Sequence, residues 1–105
     1  MRARWSRVLC LFALGMLGTA AARAQDIAAG QAIAKAWCSN CHGIGAQDTA
    51  ARDGVPAFFS IAQMKSTTEM SLAAFLTTPH GRMPNLALSR TEIRDVSAYI
   101  LSLRQ

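Results

Sequence analysis

The chain reads as an all-α protein of three to four helices. Three observations predict this. Apolar residues recur at three- and four-residue spacing after Asp26 and again after Ser89. Two Ser-x-x-Glu sequences, Ser66 to Glu69 and Ser89 to Glu92, have the form of capping boxes. In such a box a hydroxyl and a carboxylate satisfy free N–H groups at the start of a helix. No stretch alternates apolar and polar residues as a half-buried strand would.

Residues 1–24 have the pattern of a cleaved secretory signal peptide. Arg2, Arg4 and Arg7 form its basic start, Val8 to Leu17 its apolar stretch, and Ala22-Arg23-Ala24 its small-x-small cleavage pattern. The apolar stretch is shorter than the about 20 residues a membrane span needs. An uncleaved anchor is the alternative reading. No twin-arginine pair is present, so the general secretory route to the periplasm fits best. The mature chain is then expected to start at Gln25 and to form one domain, residues 25–105.

Removing residues 1–24 from 105 leaves 81. A chain of that size buries only about 60% of its unfolded surface and benefits from a staple. Four of the 11 Lys and Arg residues are Arg2, Arg4, Arg7 and Arg23, so seven remain against six acids. The mature charge is therefore +1, not the +5 of the whole chain. Together with the lack of a basic helix, this excludes nucleic-acid binding. Cys10 belongs to the leader, so the mature chain has two cysteines, Cys38 and Cys41.

The first helix is expected from Asp26 to about Trp37. Asp26 caps it and complements its dipole. Ile27, Gly30, Ile33, Ala34 and Trp37 fall on one face. Gly30 permits close approach by another helix. Residues 43–54 are polar and read as a loop. Pro56 opens a short helix of Phe58 to Met64, in which Phe58, Phe59 and Ile61 are core or pocket residues. The helix after Ser66 carries Leu72, Phe75 and Leu76 on one face and ends before Pro79. The helix after Ser89 presents Ile93, Val96, Ile100 and Leu103 in one stripe, with Tyr99 beside it. Leu88 and Ile93 are placed as a hydrophobic staple. Arg104 lies in the last turn, where it suits the helix dipole.

Cys38-Ser39-Asn40-Cys41-His42 has the C-x-x-C-H spacing of a c-type haem attachment site. Thiols three positions apart lie about one helical turn apart. They can reach the two vinyl groups of one haem edge and form thioethers. His42 then offers its imidazole to the iron. A redox dithiol wants a βαβ context that the chain lacks. Zinc wants a second Cys/His pair, and His80 stands alone. A disulfide across so tight a loop would be an unusual staple. One haem c, covalent through Cys38 and Cys41, is the reading adopted, and it supplies the staple that an 81-residue chain needs.

The second axial position decides the chemistry. Iron with both positions filled mainly moves electrons; an open one binds gases or peroxide. Met64 and Met70 fall on expected helices at core-like positions. Met83 sits in an irregular loop and is followed by Pro84, which leaves its thioether free to point at iron. His80 is the rival, and a histidine pair would lower the reduction potential relative to His/Met. Two roles stay open for Pro56: its carbonyl can hold the outer nitrogen of His42, or it simply starts the next helix.

The mature chain resembles the class I cytochromes c. The resemblance rests on the first helix, Cys38 to His42, Val55-Pro56, Met83-Pro84 and the run Leu88 to Ile100. It looks most like small bacterial periplasmic single-haem cytochromes. It implies crossed first and last helices, with Gly30 near Val96 and Tyr99. It also implies thioethers at Cys38 and Cys41, iron ligation by His42 and Met83, and a Pro56 carbonyl acceptor. One departure is Ala34, where the family often has an aromatic; Trp37 is expected to fill that volume. The implied function is periplasmic electron transfer through one haem, with redox partners docked briefly at the haem edge. Arg52 and Arg82 are candidates for pairing with propionates. The protein is expected to be a monomer or a small subunit of a dehydrogenase or oxidase complex. A gas-binding or catalytic haem with a labile Met83 is the third reading.

Overall fold

The computed structural model describes residues 23–105; the leader reading, apart from its last two residues, lies outside them. Helix α1 spans Ile27–Ile33 and runs on through a π-helical turn, Ala34–Cys38. Helices α2 (Phe58–Gln63), α3 (Glu69–Thr77) and α4 (Arg90–Ser102) follow. Among the described residues there is no strand, only two isolated bridges, Arg52 with Val55 and His80 with Met83. Nor is any described helix long and apolar enough to cross a membrane. The all-α expectation holds, with four helices.

The first and last helices form the frame. The Asp26 side chain caps α1 by accepting the Ala29 N–H at 2.9 Å. The Asp26 N–H in turn donates to the buried Asp95 carboxylate of α4 at 2.9 Å. Gly30 faces α4. A Cβ there would overlap the Asp95 carbonyl and stand 3.0 Å from the Tyr99 Cβ. The crossing therefore bears on Asp95 and Tyr99, where the resemblance implied Val96 and Tyr99. Val96, Tyr99, Ile100 and Leu103 carry the core, which also takes in Ala34, Cys38, Phe58, Ala62 and Leu72.

Several expectations are corrected. Trp37 is 62% exposed and does not fill the space beside Ala34. The cause is the π turn, in which the Ser39 N–H reaches back five residues to the Ala34 carbonyl at 3.0 Å. One extra residue in the turn shifts the helical phase. Cys38 goes inward and Trp37 outward, and the core around Ala34 is closed from α4. Ile27, the first residue of α1, is also exposed.

The box that opens α3 is Thr68 with Ser71, not Ser66 with Glu69. The Thr67 hydroxyl donates to the Ile61 carbonyl at 2.7 Å, which holds residues 66 and 67 in the turn after α2. The helix can start only beyond them. Leu72 is buried and Leu76 packs on the core, but Phe75 faces outward. Met64, past the end of α2, and Met70, in the first turn of α3, are exposed and do not pack in the core. Arg104 lies past the last turn of α4 and serves another helix. Its guanidinium donates to the Ala62 and Thr67 carbonyls at 2.7 and 2.6 Å, closing the C-terminal end of α2.

At α4 the expected box is present. The Ser89 N–H donates to Glu92 at 2.7 Å, and the Glu92 N–H donates to the Ser89 hydroxyl at 3.2 Å. These bonds, the backbone one foremost, hold the Glu92 carboxyl below its ordinary value.

Two outcomes are expected. Gly30→Ala would gain about 1 kcal/mol of helix propensity in open space. Here the overlap with α4 should instead cost about 1–3 kcal/mol, read as a lower denaturant midpoint. For Glu92 the folded pKa lies below the unfolded one. Its contribution is therefore complete above the ordinary glutamate value and is lost as pH falls through the folded value. Glu92→Gln should flatten the acid limb of a stability-versus-pH curve; an acid limb unchanged by the substitution would refute the assignment.

Candidate functional site

Four hydrogen bonds hold His42 and the two residues after it, two of them on His42 itself, and a backbone carbonyl is the acceptor in each. The His42 N–H donates to the Cys38 carbonyl at 2.9 Å, continuing the helical path out of the π turn. One residue on, the Gly43 carbonyl accepts the Phe58 N–H at 2.8 Å and ties the site to the start of α2. Two residues on, the Ile44 carbonyl accepts the Tyr99 hydroxyl of α4 at 2.6 Å. The ring itself donates from Nδ1 to the Pro56 carbonyl at 2.6 Å. Phe58 lies against it, ring centres 5.2 Å apart at 48°.

The Nδ1 bond has a chemical consequence. A carbonyl accepts only, so Nδ1 carries the proton, and Nε2 keeps its lone pair for a metal. Such a second bond also makes the imidazole a better donor. Of the two roles left open for Pro56, the geometry supplies the acceptor. Its ring also leaves it without an N–H that could compete.

Cys38 and Cys41 are both free thiols. Cys38 is buried at the end of the π turn, and burial pushes its thiol up. A redox-active dithiol has the opposite setting, a helix N-terminus and a lowered thiol. Cys41 is exposed, on the same turn as His42. Two free thiols next to an imidazole whose Nε2 keeps its lone pair are the groups that haem c requires, the thiols for the vinyl groups and the imidazole for the iron, and the residues fit it.

Met83 lies on a separate segment. It is half-buried at the end of a turn in which its N–H donates to the His80 carbonyl at 3.0 Å. It lines a depression with Phe75, Leu76, His80, Leu86 and Leu88. His80 is half-buried, its Nδ1 donating to the Thr78 carbonyl at 3.1 Å and its ring edge-on to Phe75 at 5.1 Å. Arg82 reaches the backbone of the Pro56 loop, donating to the Asp53 carbonyl at 3.0 Å. The structure thus brings together Cys38, Cys41, His42 and Pro56, and sets Met83 on a loop linked to them through Arg82.

The comparisons with known proteins point the same way. The family described as cytochrome c oxidase, cbb3-type, subunit III matches residues 25–100. Cytochrome c-552 of Bradyrhizobium diazoefficiens is 40% identical over 98 residues, 93% of this chain and 94% of that one. No solved structure matches. The chain belongs to the cytochrome c family.

Its function is accordingly haem-based electron transfer. Within this cytochrome, sequence reasoning passed over Tyr99 as the anchor of the segment after His42. Nothing in a stripe of apolar residues distinguishes a tyrosine that packs from one whose hydroxyl reaches a carbonyl 55 positions away. It also read residues 43–54 as plain loop, although Asp53-Gly54 is a recognised tight-turn dipeptide.

Tyr99→Phe keeps the ring and removes one bond. It should lower stability by about 0.5–1.5 kcal/mol, measured by denaturant unfolding of the haem-loaded protein. An unchanged midpoint would show that the Ile44 carbonyl needs no such anchor.

Proposed function

We propose that this cytochrome is a periplasmic electron carrier with one haem c, joined to Cys38 and Cys41 and ligated by His42 and Met83. The observation that carries the reading is the 2.6 Å bond from His42 Nδ1 to the Pro56 carbonyl. It fixes one tautomer and one ring orientation, which a free surface histidine would not need. Residues 1–24 act as the leader that delivers the chain to the periplasm, and residues 25–105 are the working domain.

When bound, haem c supplies one-electron chemistry between Fe(III) and Fe(II). The chain's residues set the conditions. His42, its Nδ1 proton held by Pro56, gives a strong and oriented nitrogen donor. Met83 gives a thioether, which favours the reduced state and raises the potential relative to a second histidine. Phe58, part of the buried cluster with Ala34, Leu72 and Tyr99, packs on His42 and gives its ring an apolar neighbour. Of the two candidates for pairing with propionates, Arg52 and Arg82, both exposed, Arg52 is the better placed, since the Arg82 guanidinium is already engaged by the Asp53 carbonyl. Electrons then pass to redox partners that dock briefly over a small interface.

A second reading is favoured by one observation, the match to a family named for an oxidase subunit. It makes the chain a haem-bearing subunit of a larger redox complex. Near-complete mutual coverage with a cytochrome c-552 favours the carrier. Co-purification with a catalytic partner would decide for the subunit.

The test is an optical spectrum of oxidised wild type and Met83→Ala. The weak near-infrared sulfur-to-iron band should be present in the first and absent in the second. Its absence from wild type would overturn ligation by Met83. A low-spin spectrum would then assign His80, and a high-spin one an open iron.

A further inference from the structure

Two tight turns flank the candidate site, and a single side chain joins them. The first is Arg52-Asp53-Gly54-Val55. It is closed by Arg52 N–H to Val55 O at 3.0 Å and Val55 N–H to Arg52 O at 2.8 Å. Asp53 and Gly54 both have positive φ, 50° and 78°, as a mirror-image hairpin turn requires. The second is His80-Gly81-Arg82-Met83, closed by Met83 N–H to His80 O, with Gly81 at φ 51°.

Each turn leads directly to a residue of the site. The first delivers Pro56, whose carbonyl holds His42. The second ends on Met83. The Arg52 and Val55 carbonyls are consumed inside the first turn, and the Asp53 carbonyl is left facing outward. Arg82 Nη2 donates to it at 3.0 Å, across 29 positions of sequence.

We propose that Arg82 is a positioning residue, a strap that holds the Met83 turn to the Pro56 turn and so sets how readily Met83 leaves the iron. The proposal rests on the reading of His42 and Met83 as the axial pair. Its physical content is simple. An added ligand can replace Met83 only when the Met83 turn swings away. The population of that open form depends on the bonds that hold the turn. The bonds from Met83 N–H to His80 O and from His80 Nδ1 to Thr78 O stay within the segment and move with it, so Arg82 is the side chain that ties the turn to the Pro56 turn, beside the packing of Met83 and His80 against Phe75 and Leu76. The partner of Arg82 is a neutral carbonyl. The strap therefore works by a directed hydrogen bond, and salt should leave it nearly intact, unlike an exposed ion pair.

The experiment compares haem-loaded wild type, Arg82→Ala and Arg82→Lys. One readout is the rate at which imidazole bleaches the near-infrared band of the oxidised protein. The other is hydrogen exchange of the Met83 and Val55 amides. Loss of one typical hydrogen bond raises the open population about three- to tenfold. Arg82→Ala should speed both imidazole binding and Met83 exchange by that factor, at low and high salt alike. Arg82→Lys, which keeps a cationic N–H donor group but loses the planar fork, should fall between. Unchanged exchange in Arg82→Ala would overturn the strap. So would a rate increase that salt abolishes, since that would make Arg82 a surface charge. If wild type lacks the band, the axial pair is wrong, and exchange at Met83 still decides whether Arg82 holds the turn.

Discussion

The backbone contact between α1 at Gly30 and α4 at Asp95 is the constraint on which the other features of the fold depend. It joins the two ends of the domain without an intervening side chain. It is reinforced by the Asp26 N–H on the Asp95 carboxylate. Only with α4 held at this height does Tyr99 reach the Ile44 carbonyl and Arg104 the end of α2. One helix thus supports the segment after His42 and the short helix whose Phe58 packs on that histidine. Substituting in the frame would be felt at the site, although neither Gly30 nor Asp95 is one of its residues.

The site is built largely from main-chain groups. Carbonyls of Cys38, Gly43, Ile44 and Pro56 take the bonds that fix His42 and its neighbours. Carbonyls are present whatever the side chain, so their positions are set by turns and by proline. This explains why a tandem of positive-φ residues, Asp53 and Gly54, stands just before Pro56. The turn aims the chain, and the proline presents its oxygen without an N–H of its own.

Much of this was legible in the residues. The C-x-x-C-H motif names its chemistry because three scarce residue types stand at fixed spacing. The Ser89–Glu92 box is local physics and appears as written. The Ser66–Glu69 box failed because a bond six positions back, Thr67 to Ile61, claims the preceding residues for the turn after α2. Trp37 was misplaced because a helical period was carried through a turn that holds one more residue than an α-helix allows. Both errors arise where a short-range bond outside the regular α-helical pattern changes the register that a simple period assumes. Arg104 is a third case: a cation at a helix end was assigned to its own helix, and the neighbouring helix had the unmet carbonyls.

Burial of Cys38 depends on the meeting of residues far apart in the chain. The Asp26–Asp95 bond spans 69 positions. Closing so large a loop is entropically slow and must await the last segment to be made. A ribosome or a translocation channel releases the chain from its N-terminal end, so both thiols emerge well before α4. Until then Cys38 has no lid. The topology thus leaves Cys38 open until the C-terminal helix arrives to cover it, whereas Cys41 stays exposed in the finished fold.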